Sequence, residues 1–177
     1  MDTNEISRVK AQFAKRDSGN DAPRHSINAA LQRSGTYVYR NDLRQAMRQD
    51  MQTYLVDITQ EYTSRVDDEK HIENIAAFAN MISEKHGAIL KNGRFRIGVA
   101  QKALNLYLKY QWCKGEIAIP PHCPFDRGIL FELSLDGVWT KMDSMDDYRA
   151  WVAAARNKAK EDGYGSIAEW ELIVWGE

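Results

Sequence analysis

The chain has 177 residues, 44% of them hydrophobic and 28% charged, with 11 Gly and 4 Pro, which reads as one globular domain spanning residues 1–177. No apolar run approaches the roughly 20 residues of a bilayer span, the opening MDTNEISRVK lacks the apolar core of a secretory signal, and Cys113 and Cys123 make no disulfide framework. A cytoplasmic chain with no membrane partner is expected, and a net charge of −1 by itself argues against a bulk nucleic-acid coat.

In chain order, Ile6, Val9 and Phe13 predict a helix over Glu5–Lys15. The polar stretch Arg16–His25, RDSGNDAPRH, reads as a loop, and Ser26 as the N-cap of a short helix ending at Gly35. Thr36–Arg40 suits a short extended piece. From Asp42 to Tyr62 the stripe Leu43, Met47, Met51, Tyr54, Leu55, Ile58 and Tyr62 predicts a long amphipathic helix, capped by Asn41 or Asp42. A second follows the acidic start Asp67–Glu69, with Ile72, Ile75, Ala76, Ala79 and Ile82 on one face and Gly87 as its stop.

The segment from Val99 to Trp112 differs, because apolar residues fall on several of its faces. That predicts a central buried helix. Pro120, Pro121 and Pro124 then exclude helix until one starts at Asp126, and Asp136–Gly137 marks a turn. A further helix spans Asp146–Lys160, with Tyr148, Trp151, Val152, Ala155 and Ala159 on one face, while the tail AEWELIVWGE is ambiguous between helix and strand. The expected fold is therefore all-α, a compact bundle of about five to seven helices with at most a minor strand pair.

Charge is unevenly spread. Residues 91–119 carry six basic residues against one acidic, and residues 1–50 carry nine against six, with acidic stretches after each. A basic block in a neutral chain suits either a solvated face or an anionic ligand. Gly98 opens the buried helix, and free N–H groups at a helix start bind phosphate, with Lys91, Arg94 and Arg96 adding charge. A phosphate at Gly98–Ala100 is one reading, and a glycine that merely starts a helix is the other.

The residues Gly98-Val99-Ala100-Gln101-Lys102-Ala103-Leu104-Asn105 resemble the hairpin and following helix of helix-hairpin-helix DNA glycosylases, which read G-V-G-x-K-x-A-(N/D) there. Cys123-Pro124-Phe125-Asp126-Arg127-Gly128-Ile129 looks like the family's P-V-D-x-H-V turn. The resemblance covers about thirty residues, Gly98 to Arg127. It implies that Lys102 corresponds to the lysine nucleophile of bifunctional members and Asp126 to the aspartate that assists base loss. It also implies DNA as partner, with Arg94, Arg96, Gly98 and Gln101 as nucleic-acid-binding residues. The chain departs from the pattern at Ala100, which replaces the second hairpin glycine, and at Arg96-Ile97, where a proline is usual. It also departs in the 24 residues from Lys102 to Asp126, in a long connection after Gly87, and in having no four-cysteine cluster set.

The chemistry fits those residue types. A lysine can attack the sugar C1′ as a neutral amine, and an aspartate can stabilise oxocarbenium-like charge or move a proton. The target base must leave the stack and be held by aromatic rings. Tyr107, Tyr110 and Trp112 are nearest in sequence, with core packing as their simpler role.

No cofactor or metal is expected. His86, Cys113, His122 and Cys123 fit no standard zinc spacing, Asp143, Asp146 and Asp147 read as a capped helix start, and Cys123 carries no hydrolase signature. The alternative function is a non-catalytic regulator or inhibitor that binds a protein partner through an aromatic C-terminal surface of Trp139, Trp151, Trp170 and Trp175. A small-molecule enzyme with a helical pocket has no motif behind it.

Overall fold

A computed structural model describes residues 3–17, 19–32, 34–37 and 43–175. Eight α-helices are present among these residues: α1 (Thr3–Ala14), α2 (Ala22–Leu31), α3 (Leu43–Ile58), α4 (Asp68–His86), α5 (Ile97–Lys114), α6 (Arg127–Glu132), α7 (Met145–Glu161) and α8 (Ile167–Val174). Short 3-10 turns join several of them. The fold is all-α, as the periodicities predict. The helix beyond the seven patterns is the ambiguous tail, where Ser166 accepts from the Glu169 N–H and caps α8.

The fold is organised around α5. Fifteen of its eighteen residues are buried, and it packs against α1, α2, α4 and α7, while α3 packs on α2 and α4. The all-round apolar pattern has this cause: a helix contacted from every side buries every side. It ends at Gly115, whose φ of 84° lets the last turn close with a left-handed residue.

Several boundaries differ from the sequence reading, among them the end of the second helix, at Leu31 and not Gly35. The second helix starts at Ala22, inside the expected loop, because Pro23 sits in its first turn, where a missing N–H costs nothing. Ser26 is consequently a buried mid-helix residue and not a cap. The long helix over Asp42–Tyr62 is α-helical only to Ile58 and tightens into a 3-10 turn over Thr59–Thr63. Gly87 keeps right-handed φ and begins a 3-10 turn, so α4 stops without a left-handed cap. Thr36 and Tyr37 do pair briefly with Leu90 and Lys91 through one antiparallel bridge. The rest of that expected extended piece, and the caps Asn41 and Asp42, lie outside the described residues.

No helix among the described residues is long and apolar enough to cross a membrane.

Candidate functional site

Lys102 and Asp126, 24 residues apart, meet in one ion pair: Lys102 Nζ donates to Asp126 Oδ2 at 2.6 Å. Two local structures produce the encounter. Lys102 projects from the second turn of α5. Asp126 is the N-cap of α6, and its Oδ1 accepts from the Gly128 and Ile129 N–H groups at 3.0 and 3.2 Å. One carboxylate oxygen is thus fixed by the helix start, and the other is aimed at the lysine.

The approach of the two segments is held by amides on α5. Gln101 Nε2 donates to the Phe125 carbonyl at 2.7 Å, and Gln101 Oε1 accepts from the Phe125 N–H at 3.1 Å. Asn105 Nδ2 donates to the Cys123 carbonyl at 2.8 Å. Pro124 permits no backbone donor between these points, so Gln101 and Asn105 bind the extended segment 123–125 much as a neighbouring strand would. Gln101 is fully buried in this clamp.

The clamp continues into a buried polar chain. Asn105 Oδ1 accepts from His71 Nε2 at 2.7 Å, and His71 Nδ1 accepts from the Tyr62 hydroxyl at 2.6 Å, the assignment that a neutral imidazole requires. The Tyr148 hydroxyl accepts from Asn105 Nδ2 at 3.1 Å and donates to His122 Nδ1 at 2.9 Å. Burial pushes the pKa of both histidines below the ordinary value, His71 the further. At the chain's outer end, the His122 side chain and then Arg156 pull Asp68 down to about 2.

The Lys102–Asp126 pair opens into a shallow cleft of about 310 Å³, walled by Ala29 and Gln32 at the end of α2, by Arg127 and Gly128, and by the rings of Trp139 and Trp175. The two side chains keep 10% and 19% of their surface exposed. Gly128 lets the Trp175 ring lie close, because a Cβ there would stand 2.7 Å from the ring unless the ring shifted. The aromatic residues expected from sequence are elsewhere. Tyr107, Tyr110 and Trp112 are buried in the core. Trp139 and Trp175 reach the cleft from a distant loop and the end of α8, a placement that sequence spacing around Lys102 does not encode.

The start of α5 is occupied by the protein itself. Gly98 N–H donates to the Met142 carbonyl at 2.9 Å, and Ile97 N–H donates to Asp143 Oδ1, also at 2.9 Å. A Cβ on Gly98 would lie 1.8 Å from the Trp139 carbonyl oxygen. Glycine is therefore needed for the chain at 139–142 to pack on the helix, and its N–H is already bonded. Arg94 is likewise committed, Nε to both oxygens of Asp143 at 3.0 and 3.2 Å and NH1 to Asn80 at 2.8 Å. Arg96 NH2 donates to the Ser34 carbonyl. Of the expected site residues, the fold brings Lys102 and Asp126 together, largely buried, at the edge of a shallow cleft and ties Arg94, Arg96, Gly98 and Gln101 into internal contacts.

The cysteines face no site. Both are buried free thiols, and burial pushes both up, Cys113 to about 12. Among the described residues, no group of three or more His, Cys, Asp or Glu side chains is placed to hold a metal ion. No protein-family model, curated protein or solved structure matches the chain.

Proposed function

We propose that the chain processes DNA, removing a base through Lys102 and Asp126 in the manner of the glycosylase/lyases that residues 98–127 resemble. The observation that carries this reading is the 2.6 Å pair on a cleft flanked by two tryptophan rings. Resemblance in sequence gave two residues in two segments. Their convergence on one accessible point is what a shared reaction requires.

In this reading an extrahelical nucleotide enters between Trp139 and Trp175, where stacking offsets part of the cost of leaving the duplex. The bond from the base nitrogen to C1′ breaks with its electron pair going to the base, and the Asp126 carboxylate stabilises the positive charge that develops on the sugar. Lys102 passes a proton to Asp126 Oδ2, and its free amine forms the new C1′–Nζ bond. Asp126 then returns that proton to the departing base. One proton of the resulting C1′–Nζ ammonium passes to O4′ as the C1′–O4′ bond breaks with its electrons on O4′, which leaves a 4′-hydroxyl and a protonated Schiff base on Lys102. Borohydride should trap this species as a covalent protein–DNA adduct on damaged-base or abasic duplexes. Lys102→Gln should abolish the adduct. Trapping that fails across such a panel with the unaltered protein would overturn the reading.

A second reading has its own observation. Phe131 is 80% exposed on α6, and Val138, Val174 and Trp175 are also exposed. A non-catalytic interaction protein would use such exposed apolar side chains. Trp151 and Trp170 would take no part, because both are buried, which reduces the expected four-tryptophan surface to Trp139 and Trp175.

A further inference from the structure

A duplex is gripped through an array of phosphate contacts. The groups expected to supply them are bonded inside the fold: Arg94 to Asp143 and Asn80, Arg96 to the Ser34 carbonyl, and the Gly98 N–H to the Met142 carbonyl. Among the described residues that line the cleft, Lys102 and Arg127 are the cations and Asp126 is the one carboxylate. Lys102 and Asp126 neutralise each other, so the net charge of the cleft is that of Arg127.

Ring surface is what the cleft offers instead. Trp175 remains 45% exposed, and its ring lies against Gly128, whose N–H donates to Asp126 Oδ1. Trp139 walls the same cleft, and its carbonyl is packed against Gly98 at the start of α5. An aromatic face accepts any base, because every base has a π-face and none needs a paired edge to stack. A base seated on the Trp175 ring is beside the Lys102–Asp126 pair.

The depth of the cleft decides which nucleotide can use that surface. Enzymes that react with a nucleotide either take it already unpaired or extrude it into a pocket that encloses it. At about 310 Å³ the cleft is at the lower end of ligand-enclosing pockets, and Gln32, Arg127 and Trp175 in its wall are themselves exposed. An extruded base recovers its lost pairing and stacking through enclosure. Stacking on one open ring recovers about 5- to 150-fold in affinity, and a single net charge adds little backbone grip to it. A nucleotide with no pair to lose keeps that whole gain.

We infer that the substrate is a nucleotide already unpaired, in a single strand or a bulge, stacked on Trp175 with Arg127 taking the adjacent phosphate. This rests on the reading above that the chain processes DNA. An abasic residue also has no pair to break, so it meets the same condition inside a duplex.

The test is fluorescence anisotropy with the full chain and one labelled mixed-sequence strand, presented alone, fully paired, and paired except for one bulged nucleotide. The single strand and the bulge should bind at least about tenfold tighter than the full duplex. Trp175→Ala should weaken single-strand binding about 5- to 150-fold, and Trp175→Phe should restore most of it. Phe131→Ser, which removes an exposed ring of α6 outside the cleft, should leave it unchanged. The slope of log affinity against log salt should be shallow, about −0.7 for one phosphate contact on a single strand, and Arg127→Gln should abolish it. If the full duplex binds as tightly as the bulge, or the slope is about −3 or steeper, while abasic DNA is still trapped by borohydride, the inference falls and the catalytic reading stands. Full affinity retained by Trp175→Ala also overturns the inference. If the preference for unpaired DNA appears but the unaltered protein gives no adduct on abasic DNA, the binding site stands and the catalytic reading falls. No binding to any of the three at low salt overturns the inference, and with no adduct it removes both.

Discussion

Helix α5 carries two lysine–carboxylate pairs two turns apart, both at 2.6 Å, and they are built for different ends. Lys109 meets Glu171 of α8 with side chains only 5% and 4% exposed, and its ammonium also lies over the Phe13 ring of α1. Lys102 meets Asp126 at the mouth of a cleft. The first pair is sealed by three helices and joins them. The second is fixed on one side by a helix cap and left open on the other. Identical chemistry and distance thus divide by access, which is set by the surroundings and not by the pair.

Removing the charge of the open pair should give the largest effect. Asp126→Asn keeps a side-chain oxygen able to cap α6, so the fold should hold while base loss slows by about 10²–10⁴, the usual consequence of a lost proton-transfer group. Single-turnover excision measured beside duplex affinity checks this. Unchanged excision would remove the distinction between the pairs. Breaking the sealed pair should act on stability instead. Lys109→Ala leaves Glu171 buried without a partner and should cost about 3–5 kcal/mol in denaturant unfolding, with the adduct still formed by the folded fraction. A variant of full stability would show that this pair is not sealed.

The smallest effect concerns the chain of buried groups behind the clamp. His71 sits between Tyr62 and Asn105, with His122 edge-on and Asp68 beyond it. Its folded pKa lies below the ordinary value, so the unfolded chain binds the proton first. The stability contributed is complete above the ordinary histidine pKa of about 6.5 and declines as pH falls below it. Each histidine of this kind adds up to about 1.4 kcal/mol per pH unit. Asp68, depressed to about 2, adds a separate loss only as pH falls from about 4 towards 2. Thermal unfolding between pH 7.5 and 5 should show the decline, and His71→Gln should flatten it. An unaltered slope would place the histidine's titration elsewhere.

The helices were legible because burial on one face leaves a 3.6-residue signature in α3, α4 and α7, and burial on all faces leaves the mixed pattern of α5. The pairing of Lys102 with Asp126 was legible only through resemblance, since periodicity says nothing about which residue meets which across 24 positions. Gln101 illustrates the limit. Its residue type suits a DNA contact, and only the fold reveals that both ends of its amide bond to Phe125. Trp139 and Trp175 illustrate another, because their position beside Lys102 depends on how the 139–142 loop and α8 close over the start of α5 and α6. The committed state of Gly98 depends on the same loop.

The most direct measurement is to locate the lysine in the trapped species. Borohydride-reduced complexes of the unaltered protein with abasic duplex, digested and sequenced by mass spectrometry, should carry the sugar remnant on Lys102 and leave Lys109 unmodified. An adduct on Lys109 or on surface lysines, or one that survives Lys102→Gln, would contradict the account.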